Sequence, residues 1–148
     1  KLRRNLFQFL KLKQITCLIA THDANDILAF TDKAIVLQKG EMVSFEETKK
    51  LYSTTQNKYV ASLFDDVNEI PNYLIEASED KKSKLLLYPH QLKIASISDL
   101  KVKIHKTYYK GNTFLIEAFF KNQIIYFENS EDLVIGSDVF LELNKKNF

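Results

Sequence analysis

The stretch ITCLIATHDAND, residues 15–26, decides how the rest of the chain is read. Its first six residues are a nearly continuous apolar run of strand length, the pattern of a strand covered on both faces in a parallel sheet. Asp23 then stands where a helix N-cap belongs. Asp26 takes the third helical position, where the positive end of the helix dipole favours a carboxylate. Ala24, Ile27, Leu28 and Thr31 continue at helical spacing. This predicts a buried strand over residues 15–20 that runs into a helix, with His22 at the strand's carboxyl end. In open α/β sheets, ligands bind in the crevice beyond those ends. Position alone equally suits a histidine that merely hydrogen-bonds a neighbouring carbonyl, so the flanking sequence has to decide.

Upstream, Leu2, Leu6, Phe9 and Leu10 share one helical face, with Arg3, Arg4 and Lys11 spread away from it. Downstream, KAIVLQKGEMVSF (residues 33–45) reads as two strands about a Lys39-Gly40 turn, Gly40 supplying the positive φ such a turn wants. EETKKLY and NKYVASLF are short helical stretches in which Leu51, Tyr52, Tyr59, Val60 and Leu63 have the look of packing residues.

Beyond residue 67 the character turns to β. NYLIEAS, KLLLYP, LKVKIHKTYY, TFLIEAFF, QIIYFE and DVFLELN are short runs bounded by turn signals, notably Lys110-Gly111-Asn112 and Lys121-Asn122. That spacing fits a small antiparallel barrel. Leu115 and Glu117 alternate with Ile116 and Ala118, and Val139, Leu141 and Leu143 share a face.

Composition narrows the classes. With 148 residues and 45% hydrophobic content, the chain can build one average domain or two small ones around real cores. A net charge of +2 excludes a basic nucleic-acid arm, and no apolar run reaches the roughly 18 residues of a membrane span. Cys17 has no intrachain partner and reads as a small buried hydrophobe in a reducing compartment, which favours the cytoplasm. Met42 is the only methionine, and the chain opens at Lys1 with a helix already under way. The expectation is a piece of a longer protein whose upstream half precedes Lys1.

From Lys1 to Asn68, the order KLRRNLFQFL, ITCLIATHD, ILAFTDKAIVLQKGEMVSFEETKKLY and NKYVASLFDDVN resembles, without a gap, the last part of the ATP-binding subunit of ABC importers. In that family the strand before a Thr-His-Asp triplet is the last buried strand of the ATPase core. His22 matches the switch histidine, which senses the γ-phosphate of ATP, and the register extends to Asp32, Gly40 and residues 60–62. A histidine suits that post because its ring can donate a hydrogen bond to a phosphate oxygen at neutral pH, with a carbonyl or carboxylate fixing the tautomer. Whether Asp23 caps its helix or orients His22 is open at this level. The resemblance implies ATP and Mg as cofactors of the intact subunit. It also implies a second ATP-binding subunit and transmembrane permease subunits as partners, and a place on the cytoplasmic face of the inner membrane.

The departures are as informative. Glu46, Glu47 and Thr48 replace the family's Gly-Thr-Pro turn, and Thr55 replaces a proline. A phosphate loop needs Gly-x-x-x-x-Gly-Lys-Ser/Thr, which Gly40, Gly111 and Gly136 cannot form, and there is no glycine-rich signature stretch. By itself this chain is expected not to hydrolyse ATP and to need no cofactor.

Residues 68–148 resemble the transport-associated OB-like (TOBE) barrel that follows the ATPase core in importers of sugars, polyamines, iron, sulfate and molybdate. LLLYPHQLKI aligns with its Arg-Pro-Glu turn, with Tyr88 and His90 in place of the arginine and glutamate. The fold class is thus α/β plus all-β: a partial RecA-like nucleotide-binding core over residues 1–67, then an OB-like antiparallel barrel over residues 68–148.

An OB-like barrel with surface rings could also stack single-stranded nucleic acid. However, Tyr108-Tyr109, Phe119-Phe120 and Tyr126-Phe127 come in adjacent pairs, so one ring of each should face inward, and Lys81, Lys82 and Lys84 are diluted by Glu76, Glu79 and Asp80. No nucleic-acid partner is expected. His90 and His105 lack partners at metal-ligand spacing, and no metal site is expected. The leading function is the carboxyl-terminal part of a transporter ATPase subunit that contributes His22 and a regulatory, dimerising barrel. The alternative is a non-catalytic module that senses a small solute or dimerises through the barrel.

Overall fold

The computed structural model describes residues 2–75 and 83–144. The chain forms two compact units, Lys1–Phe64 and Asp65–Phe148. The sequence run over Lys81 and Lys82 lies outside the described residues.

The first unit opens with helix α1 (Leu2–Leu12), none of whose residues is buried. It ends in a Schellman turn: Gln14 takes a left-handed φ of 54°, the Ile15 N–H reaches back to the Leu10 carbonyl, and the Gln14 N–H to Lys11. Helix α2 (Ala24–Phe30) follows, then strands β1 (Lys33–Gln38) and β2 (Glu41–Glu47), then helices α3 (Thr48–Thr54) and α4 (Lys58–Ser62). β1 and β2 pair antiparallel about Lys39 and Gly40, both at positive φ, with a register shift between Val36 and Leu37. Val36, Leu51 and Val60 make the small core of this unit, flanked by Tyr59 and Phe64. Thr48 is buried as well, its hydroxyl 2.8 Å from that of Thr31.

The expected parallel-sheet strand is not present. Residues 15–21 carry no regular structure; Ile15 is 50% and Leu18 90% exposed, and Cys17 is exposed rather than buried. The reason is pairing: among the described residues no strand pairs with the run, and an isolated strand has neither ladder bonds nor a covering layer. Leu63 is exposed too, unlike Leu51 and Val60, because helix α4 ends one residue before it.

The second unit contains a short pair, β3 (Asn68–Pro71) with β4 (Lys84–Leu87), and a five-stranded antiparallel sheet in the order β5-β9-β6-β7-β8. Its strands are β5 (Leu92–Ala95), β6 (Leu100–Tyr109), β7 (Phe114–Phe120), β8 (Gln123–Asn129) and β9 (Asp138–Leu143). The first part of NYLIEAS is not a strand, since Asn72–Leu74 form a 3-10 turn; residues 76–78 lie outside the described residues. The sheet's edge strands β5 and β8 approach each other without pairing, so this is a curled open sheet and not a closed barrel.

Its inner face is one contiguous core. Val102 and Ile104, Ile116 and Ala118, Ile125 and Phe127, and Leu141 and Leu143 alternate inward from four strands. The β6 ladder slips at His105, between Ile104 and Lys106, which re-phases the strand beyond that point. Tyr109 is therefore in phase with the inner face but lies past the end of the core and is 70% exposed, as is much of Tyr108 on the other face. The one-in, one-out expectation fails for this pair; it holds for Tyr126 and Phe127, the latter fully buried.

The free edge of β8 is guarded by a side chain. Asn68 accepts a hydrogen bond from the Tyr126 N–H and donates one to the Tyr126 carbonyl, both at 2.7 Å. A second clasp runs from the Gln123 amide to the Glu69 carbonyl at 2.8 Å. Asn68 thus stands in for one residue of a neighbouring strand, a local answer to the hazard of an unpaired edge.

Candidate functional site around His22

His22 is exposed and lies between the irregular segment 15–21 and helix α2. Asp23 settles into the cap: its carboxylate accepts from the Asn25 N–H at 2.9 Å, and its carbonyl accepts from the N–H groups of Asp26 and Ile27. The Thr21 hydroxyl oxygen in turn accepts from the Asp23 N–H at 3.0 Å. The turn that presents His22 is therefore built from Thr21 and Asp23, leaving the imidazole itself without a hydrogen bond among the described residues. Between capping and orienting the ring, Asp23 does the first.

An ion pair that the spacing of the arginines on α1 does not reveal lies beside the turn. Arg3 of α1 contacts the Asp26 carboxylate through Nη1, and the same nitrogen lies 3.9 Å from Asp23. Single-sequence reading had no signal for it, since the partners are 23 residues apart.

The remaining histidines are in the second unit. His90 stacks on Tyr88, ring centroids 5.8 Å apart and 12° from parallel. His105 lies against Phe119, and its Nε2 is 3.7 Å from Glu117. Glu117 is 8% exposed, the only buried charged residue among those described, and accepts a hydrogen bond from the Tyr108 hydroxyl at 3.0 Å. That bond, and then burial, raise the Tyr108 phenol above its ordinary value. Asp66 is also raised, first by burial and then by the neighbouring Asp65 charge, with Lys110 opposing. Among the described residues no group of three or more histidine, cysteine or acidic side chains could hold a metal ion. Gly40, Gly111 and Gly136 fall in three separate turns and build no phosphate cradle.

No protein-family model matches the chain. Curated relatives do. The spermidine/putrescine import ATP-binding protein PotA of Mesomycoplasma hyopneumoniae (strain J) is 25% identical over 96% of this chain and 37% of its own length. The sulfate/thiosulfate import ATP-binding protein CysA of Mesostigma viride is 26% identical over 80% and 40%. The Fe(3+) ions import ATP-binding protein FbpC of Haemophilus influenzae (strain 86-028NP) is 21% identical over 99% and 48%. The chain thus spans 37% to 48% of the length of these relatives. With both units covered by such matches, the chain is homologous to the ATP-binding subunits of ABC importers.

Proposed function

We propose that this chain is the carboxyl-terminal part of the ATP-binding subunit of an ABC importer: residues 1–67 the end of the nucleotide-binding domain, residues 68–148 an OB-like regulatory unit built on the open five-stranded sheet. The observation that carries the reading is the apolar segment immediately before His22, left without a pairing strand or a covering layer among the described residues while the helix after it is properly capped. Ile35, Leu37, Met42 and Phe45 of the hairpin are exposed in the same unit. So much uncovered apolar surface marks a contact with further protein. Relatives more than twice as long supply a natural source for the missing strands and layer.

In that setting His22 is the γ-phosphate sensor. Its ring N–H donates to a terminal phosphate oxygen and reports the loss of that group to the helix it precedes. ATP and Mg supply the phosphoryl chemistry in the intact subunit; these residues contribute the histidine, and the remaining cradle lies elsewhere. The partners are a second ATP-binding subunit and the permease, at the cytoplasmic face of the inner membrane. Exposed Phe119, Ile124 and Tyr108 on the outer face of the sheet suit the second unit for subunit contact. The three relatives' names specify different solutes, so none is assigned.

In the full-length subunit, His22→Ala should lower ATP turnover on the order of 10²-fold or more while leaving thermal unfolding unchanged. Full turnover in that variant would sink the role. Cys17 gives an independent check: its thiol is exposed in this chain. It should react rapidly with a thiol reagent here and be protected in the full-length subunit; equal rates would show that segment 15–21 is not covered there.

A further inference from the structure

Helix α2 carries His22 at its entrance, yet it has seven residues and none is buried. A helix of that length has no stability of its own in water. Its C-terminal end meets α3 through Thr31 and Thr48, and a stripe on α1 holds the rest of it. Arg3, Phe7 and Lys11 fall at i, i+4 and i+8, one face of the helix. Arg3 contacts Asp26 in the first turn of α2. Phe7 stacks on Phe30 in its last turn, centroids 4.5 Å apart and 22° from parallel. Lys11 pairs at 2.9 Å with Asp32 just beyond it. The three contacts follow one another in the same order along both segments.

The first fastening stands nearest the histidine. The Asp26 side chain is only 16% exposed, and the single nitrogen that meets it also faces Asp23, the cap residue next to His22. An exposed arginine adds little to global stability through such a contact, so its consequence is local: it fixes where the first turn of α2, and therefore His22, stands. We infer that Arg3 is a positioning residue for His22, holding the switch turn against α1. This rests on the ATPase reading above.

The test uses the full-length subunit and, separately, this chain. Arg3→Gln should lower kcat for ATP on the order of tenfold or more, the scale of a misplaced contact, with KM and the unfolding temperature unchanged. Because one nitrogen makes the contact, Arg3→Lys should recover most of the loss. In the 148-residue chain, the amides of residues 27–30 should exchange about tenfold faster in Arg3→Gln, while those of β1 and β2 stay as they are. Wild-type kcat in Arg3→Gln, or a loss that tracks a fall in unfolding temperature, overturns the inference. If His22→Ala is inactive and Arg3→Gln fully active, only this inference fails; if His22→Ala is fully active, the ATPase reading fails first.

Discussion

Replacing Asn68 by alanine is the sharpest available test of how the second unit holds its edge. Asn68 is 1% exposed, and its side-chain amide makes both hydrogen bonds to the Tyr126 backbone at 2.7 Å. Truncation leaves one N–H and one C=O of β8 without partners, at about 1–3 kcal/mol for each group left dry. Partial entry of water at an edge favours the lower half of that range, so a total of about 3 kcal/mol is expected. For a unit of this size, that lowers the melting temperature by roughly 12–24 °C. Thermal and urea unfolding followed by near-ultraviolet circular dichroism of the tyrosines reads the change directly. Asn68→Asp should cost at least as much, because a carboxylate oxygen would then face the Tyr126 carbonyl where the amide now donates. A loss of less than about 0.5 kcal/mol in Asn68→Ala, the range of an inconsequential surface change, would refute the clasp as the device that guards the edge.

Two pH predictions follow from the same unit. Asp66 has its pKa raised, so its ionisation works against folding: the favourable contribution is present below the ordinary carboxylate value and is lost as pH rises through the raised one. Asp66→Asn should therefore be more stable than the parent at pH 7, with the difference vanishing near pH 3 in urea titrations. Tyr108 is raised chiefly by its hydrogen bond to Glu117. Its contribution persists below about pH 10 and is lost above it. Glu117→Gln should shift the Tyr108 titration downward, toward the ordinary value, in the 295 nm absorbance difference between that variant and its Tyr108→Phe counterpart. An unmoved titration would mean the Glu117 charge does not act on the phenol.

Local rules were legible where neighbours in sequence are neighbours in space. The cap at Asp23, the Lys39-Gly40 hairpin turn, the packing of Leu51 and Val60, and the alternation of Ile116, Ala118, Leu141 and Leu143 all follow from short-range periodicity and turn chemistry. Arg3 with Asp26, and Asn68 with Tyr126, were not legible, because the partners are 23 and 58 residues apart. Nor was Glu117: alternation gave its face, but only the covering rings of Tyr108 and its neighbours decide that this face buries a carboxylate.

The apolar run before His22 marks the boundary between the two kinds of knowledge. By itself the sequence determined that residues 15–20 are apolar enough for a covered strand and that a capped helix starts at Asp23. Only the tertiary structure decided that the run stays uncovered, that the five-stranded sheet curls without closing, and that α2 is fastened by α1. Apolar pattern is a property of one segment, whereas pairing and burial are properties of two, and a strand exists only where a second segment offers its hydrogen bonds.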